Sequence, residues 1–256
     1  MIFFRNSFLF LLLITLTSCI TSEYNVTSHT QDIYFYSTER EVALGQNIAR
    51  QVPKEFEISQ NPLYIERVRT IGAKIAAVCD RKELNYYFDI IDNDDKNAFS
   101  LPGGFIYIHR GLLDILDSDD ELAFVLAHEV SHIVARHSIK KLQASMGYNL
   151  LMLATIPAEK SPQFYQGLSF ALAQIMVAYS RLDEFTADEM AVKYVELAGY
   201  DPLAGISVTE KLYKQHAQEE ARPLSYFRTH PYPVQRITHI KEVLGIPLDI
   251  SDYINR

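Results

Sequence analysis

The sequence has only two cysteines, Cys19 and Cys79, and it has no tryptophan and no low-complexity tract. If Cys19 carries a lipid, as argued below, Cys79 has no partner and an intramolecular disulfide is excluded. The apolar stretches at residues 8–16, 149–156 and 168–179 are each shorter than the roughly 20 residues that a membrane-spanning helix needs. The sequence also has no excess of basic residues, with 24 Lys and Arg against 32 Asp and Glu. The formal net charge of −8 argues against nucleic acid as a partner, because phosphates bind to positively charged surfaces.

Composition and length indicate a globular protein. The 256 residues are 48% hydrophobic and 22% charged, and the chain contains no internal repeat. A chain of this length can bury a substantial core in a single domain.

The N-terminus is predicted to be a targeting segment. Arg5 precedes the short apolar run 8–16, and the following letters LTSC, which end at Cys19, resemble a bacterial lipobox. This interpretation predicts a signal peptide over residues 1–18, lipidation of Cys19, a tether over 19–37 and a folded domain over 38–256. It implies a lipid anchor on the periplasmic side of the cell envelope, with the outer membrane favoured. The alternative is an ordinary secretory signal with an incidental cysteine.

One helix carries the strongest functional pattern. Ser118-Asp-Asp-Glu121 predicts a capping box, and the apolar residues that follow it predict a buried helix. That helix contains His128, Glu129 and His132, which are costly to bury without partners. Residues at i and i+4 lie on one helix face, so the two imidazoles can bind one metal ion while Glu129 takes a proton beside it. The alternative is a pair of core histidines that flank a buried glutamate.

A second helix offers carboxylates at the same spacing. Glu184 and Asp188 lie at i and i+4 in a segment that also holds Phe185, Met190 and Ala191, which favours burial. One carboxylate could bind the metal while the other orients a ligand imidazole. Carboxylates four residues apart more commonly mark a solvated helix face.

The remaining pattern predicts an α+β fold that is mostly α-helical, with a small antiparallel sheet of three or four strands beside the HExxH helix. Helices are predicted over about 39–52 and 62–79, strands over 86–91, 97–100 and 105–108, and mainly helix beyond Arg110. Residues 149–156 and 168–179 are interpreted as core helices. The alternative is a helical hairpin that lies on the bilayer or covers the site.

Several motifs together resemble one peptidase family. The segments DDELAFVLAHEVSHIVARH, SRLDEFTAD and THPYPVQRI are similar to the gluzincin metallopeptidase family of the CaaX prenyl protease, in particular to its soluble periplasmic lipoproteins of the BepA and LoiP type. The resemblance implies a zincin-like fold and one Zn²⁺ per chain. It also implies that His128, His132 and Glu184 are zinc ligands, that Glu129 is the general base, and that Asp188 orients His128.

The same resemblance suggests two further elements of a site. Asn97, Ala98 and Phe99 match a strand edge that binds extended substrates. The alternative is an ordinary strand-loop-strand segment without a role in binding. His230 matches a histidine that approaches zinc as a displaceable fourth ligand or as an oxyanion donor, and its alternative is a structural loop residue. Arg181 and Arg236 are interpreted as members of buried ion pairs. The other histidines are interpreted as surface or structural residues: His29, His109, His137, His216 and His239.

Two functions of different classes fit these features. The first is a zinc endopeptidase of the cell envelope that removes unfolded or misassembled envelope and outer-membrane polypeptides. The second is a lipoprotein chaperone or assembly factor whose zinc site is closed. The complete set of ligands and base favours the endopeptidase.

Overall fold

The structure is a computed structural model that describes residues 21–25, 30–34, 37–146, 161–218, 225–250 and 252. The predicted signal segment, Cys19 and the predicted helix at 149–156 lie outside the described residues. Within the described parts of the chain, no helix combines the length and the apolar character needed to cross a membrane.

The N-terminal part contains a short hairpin and three helices. Strands β1 (Thr21–Asn25) and β2 (Thr30–Tyr34) pair antiparallel within the predicted tether, residues 19–37. Helices α1 (Thr38–Ala49) and α3 (Pro62–Val78) lie close to the predicted positions. The short helix α2 (Val52–Glu55) between them was not predicted. Asn61 accepts a hydrogen bond from Leu63 N at the start of α3, and Pro62 occupies a position where a missing N–H costs little.

The central sheet has three strands, and here the sequence-based expectation of an antiparallel sheet was wrong. Strands β3 (Tyr87–Ile91), β4 (Ala98–Leu101) and β5 (Phe105–His109) are arranged in the order β3-β5-β4. Strand β5 pairs antiparallel with β4 but parallel with β3. Because β3 and β4 run in opposite directions and β5 inserts between them, β5 must be parallel to one of its neighbours.

The turn between β4 and β5 requires glycine. Gly103 and Gly104 have positive φ angles of 77° and 106°, a region that side chains with a Cβ rarely adopt. A Cβ on Gly104 would lie 2.1 Å from the carbonyl oxygen of Asn85. This close approach holds the start of β5 against the residues before β3, where Tyr87 N also donates to Gly104 O.

Two apolar cores lie on opposite faces of the sheet. Along β5, Ile106 and Ile108 belong to one core, whereas Tyr107 between them belongs to the other. This follows from the alternation of side chains along a strand. The first core lies against α3, the HExxH helix and the E-x-x-x-D helix, and the second lies against α1 and the helix at Pro162–Ile175.

The C-terminal part is helical, as predicted, which confirms the α+β, mostly helical fold class. Its helices are α4 (Arg110–Leu113), α5 (Asp119–Val134), α6 (His137–Met146), α7 (Pro162–Ile175), α8 (Arg181–Leu197), α9 (Ala204–Gln218), α10 (Ser225–Thr229) and α11 (Pro233–Val243). Helix α5 contacts α3, α6, α8, α9 and the sheet, so it is the central element of the fold. Helix α7 buries Leu168, Leu172 and Ile175, which agrees with a core helix.

The predicted capping box at the start of α5 is only half present. Ser118 Oγ accepts from Glu121 N at 3.1 Å, as expected. The Glu121 side chain does not return to the cap residue. Its Oε2 accepts instead from Asp117 N, and the carboxylate also binds Ser207 and Lys211 on α9. This carboxylate therefore joins the beginning of the HExxH helix to α9.

Candidate metal centre

Helix α5 delivers two imidazoles to one point. His128 and His132 are fully buried, and their Nε2 atoms lie 3.1 Å apart. The i, i+4 spacing brings both rings to the same face of the helix. Two nitrogens so close cannot both carry hydrogens directed at each other, so the pair has lone-pair electrons available for a cation.

Helix α8, which packs against α5, supplies two buried carboxylates. Glu184 Oε2 lies 3.5 Å from His128 Nε2, and Glu184 Oε1 lies 3.5 Å from His132 Nε2. Asp188, one turn later, faces the opposite nitrogen of His128, with Oδ1 2.9 Å from Nδ1. The E-x-x-x-D spacing thus places one carboxylate at the cluster and one behind it.

The fourth member is His230, which follows α10. Its Nδ1 lies 3.2 Å from Glu184 Oε1 and 3.3 Å from His128 Nε2. Among the described residues, one donor atom each from His128, His132, Glu184 and His230 lies within 4.8 Å of all the others. Imidazole nitrogens and a carboxylate oxygen are donors that suit zinc.

Glu129 lies beside this cluster and is fully buried. Neither of its oxygens accepts a hydrogen bond from any described residue, although Oε1 is 3.3 Å from His230 Nε2. A buried carboxylate without partners is costly, so its presence needs a functional explanation. Glu184 Oε2 is contacted by His128 Nε2 at 3.5 Å and by Arg236 Nη1 at 3.1 Å.

Arg236 on α11 balances part of the negative charge. Its Nε and Nη2 donate to both oxygens of Asp188, at 2.8 and 2.7 Å, and its Nη1 lies 3.1 Å from Glu184 Oε2. Burial acts to raise the pKa of both carboxyls, but the Arg236 charge and its hydrogen bonds hold the pKa of Asp188 below its usual value. For Glu184, His230 and Arg236 together keep the pKa well below the usual range.

The buried groups contain more carboxylates than permanent cations. Glu129, Glu184 and Asp188 supply three carboxylates and Arg236 supplies one guanidinium, and all four side chains are fully buried. This excess of acidic groups favours a cation at the cluster. The same excess is visible at His128. Burial and Arg236 act to lower its pKa, but the hydrogen bonds to Asp188 and Glu184 outweigh them and raise it to about 9.

His137 was not expected at the centre, because a continuous helix would place it on the side opposite His132. The structure corrects this interpretation. Helix α5 ends at Val134, and Arg136 adopts a left-handed conformation with φ 55°, which reverses the chain. His137 is therefore buried, and its Nδ1 lies 2.8 Å from His132 Nδ1. Burial lowers the pKa of His137 to about 4, despite the nearby Asp183 charge.

Tyr179 is a further residue that sequence reasoning missed. Its ring stacks on His132 with centroids 4.0 Å apart and an interplanar angle of 17°. Its hydroxyl lies 2.9 Å from Ser138 Oγ, and its backbone N–H donates to Thr229 O. In the sequence it is only the last residue of the apolar run 168–179.

The predicted substrate edge lies next to the cluster. Asn97 is buried, and its Oδ1 accepts from Thr229 Oγ1 and from Ala98 N. The carbonyl oxygen of Ala98 is 3.3 Å from His230 Nε2. The side chain of Phe99 points away from the cluster into the second core, where it stacks on Tyr107. Asn97 and Ala98 thus border the cluster, whereas the Phe99 side chain does not.

Comparison with known proteins decides the family. The family model described as peptidase family M48 matches residues 62–244, which include all four residues of the cluster. The chain belongs to peptidase family M48. This confirms the resemblance that the sequence motifs indicated.

The M48 relatives are proteases of different lengths. The chain is 28% identical over 211 residues to the β-barrel assembly-enhancing protease of Yersinia pestis, covering 79% of this chain and 43% of that protein. It is 30% identical over 216 residues to the mitochondrial metalloendopeptidase OMA1 of Schizosaccharomyces pombe, covering 81% of this chain and 62% of that protein. It is 27% identical over 192 residues to the metalloprotease LoiP of Escherichia coli, covering 71% of each. The chain spans less than half the length of the β-barrel assembly-enhancing proteases that it matches.

The family and the cluster agree on the chemistry of the M48 domain. Relatives named as metalloproteases share this domain, and the domain contains a buried His, His, Glu and His group that fits a metal ion. Residues 62–244 are therefore a peptidase family M48 domain whose buried cluster fits a metal ion.

Proposed function

We propose that this protein is a zinc endopeptidase that cleaves unfolded or misassembled polypeptides of the cell envelope. The observation that supports it best is the buried cluster of His128, His132, Glu184 and His230 with the unpartnered carboxylate of Glu129 beside it. Relatives named as β-barrel assembly-enhancing proteases support this class of substrate.

The metal in this proposal is Zn²⁺, one ion per chain. Catalytic zinc sites use histidine nitrogens and carboxylate oxygens as three protein ligands and keep a fourth position open. His128, His132 and Glu184 would supply those ligands. Asp188 would orient His128 from behind, and Arg236 would hold Asp188 in place.

Each residue then has a defined task in peptide hydrolysis. When bound, zinc polarises the scissile carbonyl and lowers the pKa of an attacking water to about 7. Glu129 takes the proton from that water and passes it to the leaving amine, a role for which its oxygens are free of hydrogen bonds to described residues. Burial excludes bulk water from this proton transfer.

Extended substrates would bind along the free edge of β4, at Asn97, Ala98 and Phe99. Backbone pairing of this kind is largely independent of sequence, which suits unfolded polypeptides. In the structure the outward carbonyl of Ala98 already contacts His230, so a substrate strand must displace this histidine. Asn97 keeps the edge in position through its hydrogen bonds to Thr229 and to Ala98 N.

His230 closes the site in this arrangement, because one imidazole contacts both the cluster and the substrate edge. His230→Ala should raise the hydrolysis of an unstructured peptide several-fold while zinc stays bound through the three remaining ligands. The assay is steady-state peptide cleavage together with metal analysis. His239→Ala, which alters a histidine stacked on Phe185, is the control and should change neither value. A large fall in activity with zinc retained would instead make His230 an oxyanion donor.

A second function is a chaperone or assembly factor that binds polypeptides with its zinc site closed. The contacts of His230 with both Glu184 and Ala98 favour it, since they block the site without any further partner. The Glu129→Gln protein discriminates between the two. If it restores envelope assembly in cells at normal protein levels, binding is the main activity, and if it does not, proteolysis is required.

The protein is further proposed to be held on the periplasmic side of the envelope, at the outer membrane, by lipid on Cys19. The lipobox-like sequence supports this location, and a two-chain anchor gives stable attachment. Labelled palmitate should be incorporated into the wild-type chain and into Cys79→Ser, which alters a buried thiol, but not into Cys19→Ser. Incorporation into Cys19→Ser would exclude this anchor.

A further inference from the structure

His132 has a partner of its own on the side away from the cluster. Its Nε2 faces His128, and its Nδ1 lies 2.8 Å from Nδ1 of His137. At that distance the two Nδ1 atoms share a single hydrogen, so one ring donates and the other accepts.

The far side of His137 decides which ring donates. His137 Nε2 lies 3.4 Å from Asp183 Oδ1, and an ionised carboxylate can only accept a hydrogen. The negative charge of that carboxylate favours the neutral tautomer of His137 with its hydrogen on Nε2, which leaves a lone pair on Nδ1. His132 must then donate from Nδ1, and its own lone pair lies on Nε2, at the cluster.

Asp183 is itself held in place. It is the third residue of α8, and its Oδ2 completes a capping box by accepting from Ser180 N at 3.2 Å and from Ser180 Oγ at 2.7 Å. Its other oxygen, Oδ1, is the one that faces His137. Because Glu184 is the next residue, the first turn of α8 supplies both a cluster carboxylate and the carboxylate behind His137.

We infer that Asp183, His137 and His132 form a relay in which His137 is a positioning residue that fixes the tautomer and the ring orientation of His132. The inference rests on the proposed zinc site and adds the partner of its second histidine. Tyr179 supports the same orientation from the ring face, since it stacks on His132 and its hydroxyl contacts Ser138, the neighbour of His137.

The relay makes the two histidines of the HExxH motif unequal. His128 contacts the carboxylate of Asp188 directly at 2.9 Å, and that carboxylate is paired with Arg236. His132 contacts a neutral imidazole, and the carboxylate behind it is partly exposed and one ring further away. His137→Leu removes no carboxylate from the site, so a loss of metal affinity would report the orientation of His132.

The reversal at Arg136 makes this contact possible. Arg136 is anchored to α1, with Nη2 donating to Thr38 Oγ1 at 3.0 Å and Nε 3.1 Å from Glu41 Oε2. These contacts hold a residue in the left-handed region, where a residue with a Cβ is uncommon. The chain therefore returns toward His132 instead of continuing the helix.

Two measurements test the relay. In the metal-free protein labelled with ¹⁵N-histidine, two-bond NMR correlations should show His132 as the Nδ1–H tautomer, and His137→Leu should lose that preference. Competition with a chelator should show zinc affinity about 10–100-fold weaker in His137→Leu, the range typical for loss of a residue that supports a metal ligand. His137→Gln offers a carbonyl acceptor to His132 and should restore most of the zinc affinity. If the leucine variant does not fold, the glutamine variant is measured in its place.

His109→Leu is the matched control. His109 is also buried and hydrogen-bonded, with Nδ1 2.6 Å from Asn93 Oδ1, but it lies outside the cluster, so its loss should leave zinc affinity unchanged. The relay is contradicted if His137→Leu shares the wild-type tautomer and binds zinc as tightly as wild type. If the leucine variant is unfolded, it is contradicted when His137→Gln loses the Nδ1–H tautomer or binds zinc as weakly as predicted for the leucine variant. Failure of the wild-type protein to bind zinc would overturn the proposed function instead, while the tautomer of metal-free His132 would still decide the relay.

Discussion

Glu129→Gln is expected to lower peptide hydrolysis by about 10²–10⁴-fold, the usual contribution of a general base, with zinc content unchanged. The amide has the size of the carboxylate but cannot accept a proton from water. Because neither Glu129 oxygen accepts a hydrogen bond from a described residue, the substitution removes no such contact from the fold. The measurement is the rate of cleavage of an unfolded polypeptide by protein whose zinc content has been determined.

The control for this prediction is Glu189→Gln, which alters an exposed carboxylate next to Asp188 on α8 and should leave the rate unchanged. Turnover of zinc-loaded Glu129→Gln within twofold of wild type would show that another group takes the proton.

Arg236→Met is expected to have the largest effect on stability, with the free energy of unfolding reduced by about 3–5 kcal/mol. The guanidinium is fully buried, binds both oxygens of Asp188 and lies 3.1 Å from Glu184. Its removal would leave two buried carboxylates without their positive partner. Urea unfolding in the presence of a chelator, followed by circular dichroism, measures the change in the absence of metal.

A surface pair provides the comparison. Arg69 contacts Asp89 at 2.8 Å, but the side chains are 58% and 37% exposed, so Arg69→Met should cost no more than about 1 kcal/mol. If Arg236→Met were no more destabilising than Arg69→Met, the buried charge balance described above would be incorrect.

The residues of α5 show what periodicity can predict. The HExxH spacing fixes His128 and His132 on one face because a helix repeats every 3.6 residues. The apolar residues around them predict that the two histidines are buried, and the structure confirms it. The expected pairing of this helix with Glu184 and Asp188 came from the resemblance to a family, since local spacing alone does not bring residues of two distant helices together.

The features that could not be predicted depend on backbone conformation and tertiary packing. His137 was assigned to the wrong side because nothing in the local pattern shows that Arg136 takes a positive φ. A buried ion pair was expected for Arg236, but its partners Asp188 and Glu184 are defined only by the packing of α11 on α8. The parallel pairing of β3 with β5 depends on strand order, which the alternation of residues does not contain.

The most direct test of the zinc site is a crystal structure of the purified protein with anomalous data collected at the zinc absorption edge. A single strong peak is expected within about 2.0–2.2 Å of an imidazole nitrogen of His128, an imidazole nitrogen of His132 and a Glu184 oxygen. A fully zinc-loaded crystal with no peak at these side chains, or with the peak bound elsewhere, would contradict the assignment of this cluster as the catalytic metal centre.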